Sequence, residues 1–270
     1  MKKLIKTVNR MLTQNNRRAL PFSVYTSVHE QNLLNVPIAK PLLIFVLCGN
    51  KQLGKQNELN CYSGQFVFLS DSPAINMRNI PENKEYFALL IEFEYEDFQD
   101  IPNNQEPDME YFVGDTNVEL EQCLQQFVLC STWAPDLIIH SRKKEILTMM
   151  HHMGYTQVIS MMRKPRVSHK IHDLFIANEF QTITTDFICD QLNVSESTLR
   201  RKLKNENTSV SEIKDRAKMG LGLHLLQTTN IGIGLIAQQC GYQSQSRFTD
   251  RFKKHFSLTP SELRKTKLKV

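Results

Sequence analysis

One pattern occurs twice, and it limits what this chain can fold into more than any other feature. "FICDQLNVSESTLRRKLK" and "LIAQQCGYQSQSRFTDRFKK" share a layout: a short apolar helix, a break, a polar turn, then a helix with an apolar residue at every fourth place. Leu199 and Leu203 correspond to Phe248 and Phe252, a displacement of 49 residues in both cases. Each copy reads as a helix-turn-helix. A small residue in the first helix (Cys189, Ala237) allows close packing, and Asn193 and Gly241 at the break suit a positive φ. Ser195 caps the second helix of the first copy, with Glu196 well placed in its first turn.

Between the copies, Ser209 and Glu212 form a capping box that opens a helix reaching to about Thr228. Roughly 20 residues span about 30 Å. Successive major grooves on one face of DNA repeat every ~34 Å. A stiff rod of this length holds two reading helices in consecutive grooves. The same helix contains Gly220 and Gly222. Each costs about 1 kcal/mol against alanine in a helix interior, so packing has to offset them.

Charge points the same way. From residue 166 onward there are 17 Lys+Arg and 10 Asp+Glu, whereas the first 165 residues hold 16 Lys+Arg and 18 Asp+Glu. A basic block behind a near-neutral one fits a polyanionic partner; the plain alternative is a solvated basic surface.

The first part of the chain has a different period. From about Phe22 to Phe98, β-rich apolar runs alternate with turn residues at Gly49-Asn50, Gly54, Asn57, Asn60, Ser63-Gly64 and Asp71-Ser72-Pro73. In "YFALLIEFEYEDF", Phe87, Leu89, Ile91 and Phe93 share one face. The expected architecture is a small antiparallel barrel or sandwich. A loop, "DIPNNQEPDMEYFVGD", ends this region. Helical spacing begins at Val118 and stops at Trp133-Ala134-Pro135. A second helix is expected from Asp136 towards Tyr155, and a third over Thr156 to Met162.

"RKPRVS" reads as a linker. The expected domains are therefore 1–162 and 168–270, joined by 163–167. Ser168 is the expected cap of the first C-terminal helix, Thr184 or Thr185 caps the next, and Pro260 sits in the first turn of the last.

Several classes are excluded. The longest apolar run, "LLIFVLC", is too short to span a bilayer, and the basic N-terminus has neither the apolar core nor the cleavage site of a signal peptide. Six cysteines without a C-x-x-C pair form neither a disulfide framework nor a zinc site, and suit reduced thiols in the cytoplasm. His151-His152 lacks the H-E-x-x-H pattern, and His169 and His172 beside Asp173 are a poor metal site. No cofactor, metal or catalytic residue is expected.

"IGLIAQQCGYQSQSRFTDRFKKHFSLTPSEL" closely resembles the signature of the AraC/XylS family of bacterial transcription regulators. The match rests on Ile236-Ala237, Cys240-Gly241-Tyr242, Ser244, Phe248, Phe252-Lys253-Lys254 and Thr259-Pro260-Ser261. The N-terminal half resembles that family's effector and dimerisation domain through "FVLCGNKQL", "YSGQFVFLSDSPA", "YFALLIEFEYE" and "RKKEILTMMHHMGYTQVI", in the expected order. The resemblance implies a cupin-like β-barrel with flanking dimerisation helices, followed by an all-α domain of two helix-turn-helix units joined by a long helix. It further implies a cytoplasmic, homodimeric transcription regulator and activator that binds double-stranded promoter DNA and contacts RNA polymerase. With His29 the sole histidine in the first 139 residues, a His-ligated metal centre in the barrel is excluded. Three positions depart from the family pattern: Lys218, Asp250 and Ser257.

On the first reading helix, Ser197, Arg200 and Arg201 are expected to face bases, and Thr198 and Lys204 phosphates. On the second, Gln245, Ser246 and Arg247 are expected at bases and Lys253 and Lys254 at phosphates. Three readings stand for Asp250: repulsion from phosphate, acceptance from a cytosine amino group, or pairing within its helix with Lys253 or Lys254, the last being the one favoured. Lys40, Lys51 and Arg78 are the expected contacts of an anionic small-molecule effector in or near the barrel. The methionines from Met149 to Met162 suit a core, a dimer interface or an adaptable ligand wall. Two other classes stay open: an alkyl-transfer repair enzyme carrying the same DNA-binding unit, and a regulator whose barrel contacts only protein.

Overall fold

The computed structural model describes residues 1–14, 20–56, 58–70, 74–102, 109, 111–161, 166–180 and 183–267. A helix not anticipated from the sequence, α1 (Lys2–Gln14), comes first; it buries Leu4, Val8 and Met11 along one stripe. Then follow β1 (Ser23–Ser27), β2 (Gln31–Val36), β3 (Leu42–Cys48), β4 (Asn50–Leu53), β5 (Leu59–Tyr62), β6 (Gln65–Leu69), β7 (Ile75–Ile80), β8 (Tyr86–Glu92), a 3₁₀ turn (Tyr95–Phe98) and β9 (Tyr111–Asp115). The strands form two antiparallel sheets, ordered β1-β8-β3-β6-β9 and β2-β7-β4-β5. Of the barrel and the sandwich, the chain adopts an open cupin-like sandwich. β9 lies in what the sequence presented as loop; it pairs with β6 from Gln65↔Asp115 to Leu69↔Tyr111.

β8 carries two cores at once. Phe87, Leu89, Ile91 and Phe93 face one apolar cluster, and Tyr86, Ala88 and Leu90 face another. The first cluster lies under α1 and three further helices, α2 (Val118–Cys130), α3 (Asp136–His152) and α4 (Thr156–Ser160). These three helices match the expected spans closely. Around the α2–α3 turn, Trp133 and Leu137 are 70% and 76% exposed, beside the partly exposed Leu129 and Ile138.

The C-terminal part is all helical: α5 (Val167–Ala177), α6 (Thr185–Leu192), α7 (Glu196–Asn205), α8 (Val210–Thr228), α9 (Ile233–Gln239), α10 (Gln245–Phe256) and α11 (Pro260–Thr266). The expected linker falls mostly outside the described residues. Ser168 does not cap α5. The Glu206 carboxylate does so instead, accepting from the amides of Val167 and Ser168 at 2.9 Å each. An acceptor at a helix N-terminus meets the unpaired amides and the positive dipole end together. Phe180 lies beyond the end of α5 at φ 56°. Thr184, Ser195 and Ser209 cap α6, α7 and α8 as expected.

The second apolar cluster crosses from sandwich to helices. It joins Leu33, Ile38 and Met77 with Met219, Leu223, Phe248, Phe252 and Phe256. α6 and α7 belong to a third cluster, built on Ile171, Phe175, Ile188, Leu199, Leu203, Ile213 and Ala217.

Candidate nucleic-acid interface

Both breaks adopt the left-handed conformation expected of them: Asn193 at φ 51° and Gly241 at φ 69°. Gly241 is also needed for space, since a Cβ there would stand 2.9 Å from Cβ of Phe180. Lys218 of α8 holds this turn. Its ammonium donates to the Gly241 carbonyl at 2.7 Å and lies 4.8 Å from the centre of the Tyr242 ring. After each break a serine hydroxyl starts the reading helix: Ser195 accepts from the Thr198 amide at 3.3 Å, and Ser244 from the Arg247 amide at 3.4 Å.

Each reading helix buries one stripe and exposes the other. Leu199 and Leu203 anchor α7; Phe248, Phe252 and Phe256 anchor α10. Of the residues expected at DNA, Ser197, Arg200, Arg201, Lys204, Gln245, Ser246, Arg247, Lys253 and Lys254 are exposed, and Thr198 is half-buried. Arg200 is held by Glu196 at 2.6 Å within its own helix. Gln245 leans back over Gly234 of α9, its Oε1 standing 3.2 Å from where a Cβ on that glycine would be. Asp250 departs from expectation: among the described residues it has no hydrogen-bond or ion-pair partner, so the pairing with Lys253 or Lys254 is not formed. Asp250 is exposed.

Arg251 was not singled out in the sequence. It makes a two-pronged bond to Asp215 of α8, at 2.8 and 2.6 Å, and so fixes the rotation of α10 about the connecting helix. The 19 residues of α8 give about 28 Å. Its two glycines are not equivalent. A Cβ on Gly222 would meet the Phe248 ring at 2.8 Å, whereas one on Gly220 would only touch Pro37 at 3.4 Å. Close approach of α10 is thus what Gly222 provides.

The three expected effector contacts separate. Lys40 is 2.9 Å from Glu94 and 3.6 Å from Asp173 of α5, a surface link between sandwich and helices. Arg78 is clasped by Glu30 at 2.5 and 2.9 Å. Both are engaged by carboxylates. Lys51 is different. It is 2% exposed, and among the described residues its ammonium hydrogen-bonds only to a neutral group, Asn79 Oδ1, at 2.7 Å. Burial pulls its pKa down to about 8. Gln31, Asn79 and Lys51 stand opposite one another across β2, β7 and β4. The row continues into the helical part: Asn79 Nδ2 and Gln227 Nε2 both donate to Gln31 Oε1, at 2.9 and 3.0 Å, and Gln31 Nε2 donates to Thr266 at 2.8 Å. Beside it, the Tyr86 and Ser27 hydroxyls and Gln227 Oε1 are buried with no partner among the described residues.

His169 shares a 2.6 Å hydrogen bond with the Tyr95 hydroxyl, and His172 lies 3.4 Å from Asp173. The six cysteines are all free, and burial raises every one of their pKa values, Cys61 and Cys240 to about 12. None has the depressed pKa of a nucleophilic thiol.

Fold and interface together define a β-sandwich protein with a double helix-turn-helix domain. Residues 188–266 match the family described as a helix-turn-helix domain. The HTH-type transcriptional regulator YdeO of Escherichia coli (strain K12) is 42% identical over 78 residues, 29% of this chain and 30% of that one. The porin thermoregulatory protein EnvY of the same strain is 42% identical over 73 residues, covering 27% and 29%. The similarity therefore spans under a third of the length of these relatives. Along the whole fold, apo ToxT from Vibrio cholerae strain SCE256 superposes with a TM-score of 0.69 at 15% identity, covering 94% of this chain and 100% of that one. The unsaturated fatty acid-bound form of ToxT superposes with a TM-score of 0.66 at 14% identity, covering 95% and 99%. At such identity the likeness speaks for the fold alone. No helix among the described residues is long and apolar enough to cross a membrane.

Proposed function

We propose that this chain is a sequence-specific, DNA-binding transcription regulator of the cytoplasm. It reads two successive major-groove segments of a promoter with α7 and α10. The observation that carries this reading is the pair of capped, basic, outward-facing helices held by one 19-residue rod. The matched relatives are themselves named as regulators, and raised thiol pKa values argue against the alkyl-transfer alternative. Residues 1–162 form the sensing and dimerising domain, 163–167 the linker and 168–270 the reading domain.

The regulator acts as a homodimer. The exposed apolar turn at Trp133 and Leu137 is the surface that supports pairing. It activates transcription by contact with RNA polymerase. A small anionic effector enters the sandwich at Lys51, a buried cation bonded to a neutral amide, in an interior that also holds three polar atoms with no partner among the described residues. A regulator without a small-molecule effector would instead keep this interior closed.

The test of DNA reading is a titration of promoter fragments at several salt concentrations. Replacing Lys253 and Lys254 by Ala is expected to weaken binding evenly across sequences and to lower the salt slope by about 2. Arg201→Ala is expected to relax preference at one base pair. Binding that is unchanged in both variants would show that the interface lies elsewhere.

A further inference from the structure

The two reading helices are superposable in sequence, and their outermost residues differ in sign. On α7, Arg201 lies midway between the buried Leu199 and Leu203; on α10, Asp250 lies midway between the buried Phe248 and Phe252. Two residues along a helix is a rotation of about 200°. Each therefore points straight away from the core, at the centre of the face offered to a groove. The displacement of 49 residues that relates the anchors also relates Arg201 to Asp250, Ser197 to Ser246 and Lys204 to Lys253. Asp250, sixth of the 12 residues of α10, falls in its N-terminal half, the part that meets base edges in helix-turn-helix complexes; Arg201 is sixth of the 10 residues of α7.

Asp250 is an exposed carboxylate with no partner among the described residues, although Lys253 and Lys254 flank it and Arg251 is adjacent. Arg251 is taken by Asp215 on α8. That bond engages the adjacent guanidinium, and the exposed Arg247, one turn before Asp250, makes no ion pair with it among the described residues. A carboxylate against phosphate is repelled; against a base edge it accepts only from an exocyclic amino group. Cytosine presents N4–H₂ in the major groove, whereas guanine and thymine present acceptors there. Adenine sets its N7 acceptor beside its amino group, which opposes a carboxylate and suits an amide.

We propose that Asp250 is a specificity-determining residue that accepts a hydrogen bond from a cytosine amino group in the second half-site and rejects guanine and thymine at that position. This rests on the DNA-reading function proposed above. The two half-sites are then read with opposite polarity. Arg201 takes guanine acceptors in the first, and Asp250 takes a cytosine donor in the second.

The experiment is selection of bound sequences from a randomised duplex library, using the full chain and its Asp250→Ala and Asp250→Asn variants. Affinities are then measured on the selected site and its single-base changes. For the wild-type chain, a C·G pair at one position of one half-site is expected to be preferred on the order of tenfold. Asp250→Ala should lose that preference alone, and Asp250→Asn should shift it towards adenine. The proposal is overturned by variants that select the wild-type sequence, or by an Asp250→Ala chain that binds every sequence more tightly to the same degree, which marks simple repulsion from the backbone. A variant that selects nothing while Asp250→Asn still selects the wild-type site also overturns it. If the wild-type chain selects no sequence at all, the DNA-reading function itself fails.

Discussion

The two helix-turn-helix units repeat one pattern but are not supported alike. The first closes its own core with α5 and the start of α8 through Ile171, Phe175, Leu199, Leu203 and Ile213. The second places Phe248, Phe252 and Phe256 in a cluster continuous with the sandwich interior. His255 and Asn35 reinforce that junction with bonds of 2.9 and 3.3 Å. The same local sequence grammar thus gives one self-sufficient unit and one that depends on another domain. The difference lies outside the motif, in what its apolar stripe meets.

The strongest way to break this comparison is to empty one anchor in each unit. Phe252→Ala should cost about 3–5 kcal/mol, and Leu199→Ala about 2–5 kcal/mol. Hydrogen exchange separates them: Leu199→Ala should lose protection in α6 and α7 alone, and Phe252→Ala in β2 and β7 as well. Identical exchange maps would mean that both units share one core.

A second probe acts from the sandwich side. The folded pKa of Lys51 lies near 8, below its ordinary value of 10.5. Between those values the unfolded chain holds a proton that the folded chain lacks, so this lysine makes stability rise with pH by a few kcal/mol. Below pH 8 both states are protonated and the penalty stands in full. Chemical denaturation at pH 7 and at pH 10 should show a larger gain for the wild-type chain than for Lys51→Met. Equal gains would mean that Lys51 is hydrated.

Third comes the connecting helix. Gly222→Ala should destabilise the chain by about 1–3 kcal/mol through its clash with Phe248. Gly220→Ala should be neutral or stabilise by up to about 1 kcal/mol. Thermal melts of the two variants distinguish close packing from mere permissiveness. The smallest effect is expected at Ser257, which ends α10 at φ 66°, a conformation costly for any residue with a Cβ. Ser257→Gly should stabilise the chain by about 1 kcal/mol, read as a higher melting temperature.

Much of this was legible in the sequence because it is local. A hydroxyl before a helical stripe announces its own cap, as at Thr184, Ser195 and Ser209. Alternation in β8 shows which residues share a face. What stayed hidden depends on distant partners. Nothing near Ser168 says that Glu206 will cap α5 in its place, 38 residues on. Lys40 and Arg78 look like free cations until Glu94 and Glu30 fold against them, across separations of 54 and 48 residues. Strand β9 follows a stretch rich in polar residues, and only the exposed edge of β6 makes it a strand. α1 shows its stripe at Leu4, Val8 and Met11 within a strongly basic segment. Arg251 hides its role in a similar way: a basic residue on a reading helix suggests DNA, while its partner Asp215 lies 36 residues away.

Gln31 has a consequence of another kind. It sits in the second strand, yet of the three hydrogen bonds its side chain makes among the described residues, one is accepted from Gln227 and one is donated to Thr266, 235 residues further along. On a ribosome the sandwich emerges long before either partner. Its buried amide must therefore wait, hydrated, until the last helix is made. A chain halted after α7 would leave that seam exposed, since Gln227 and Thr266 both lie beyond it.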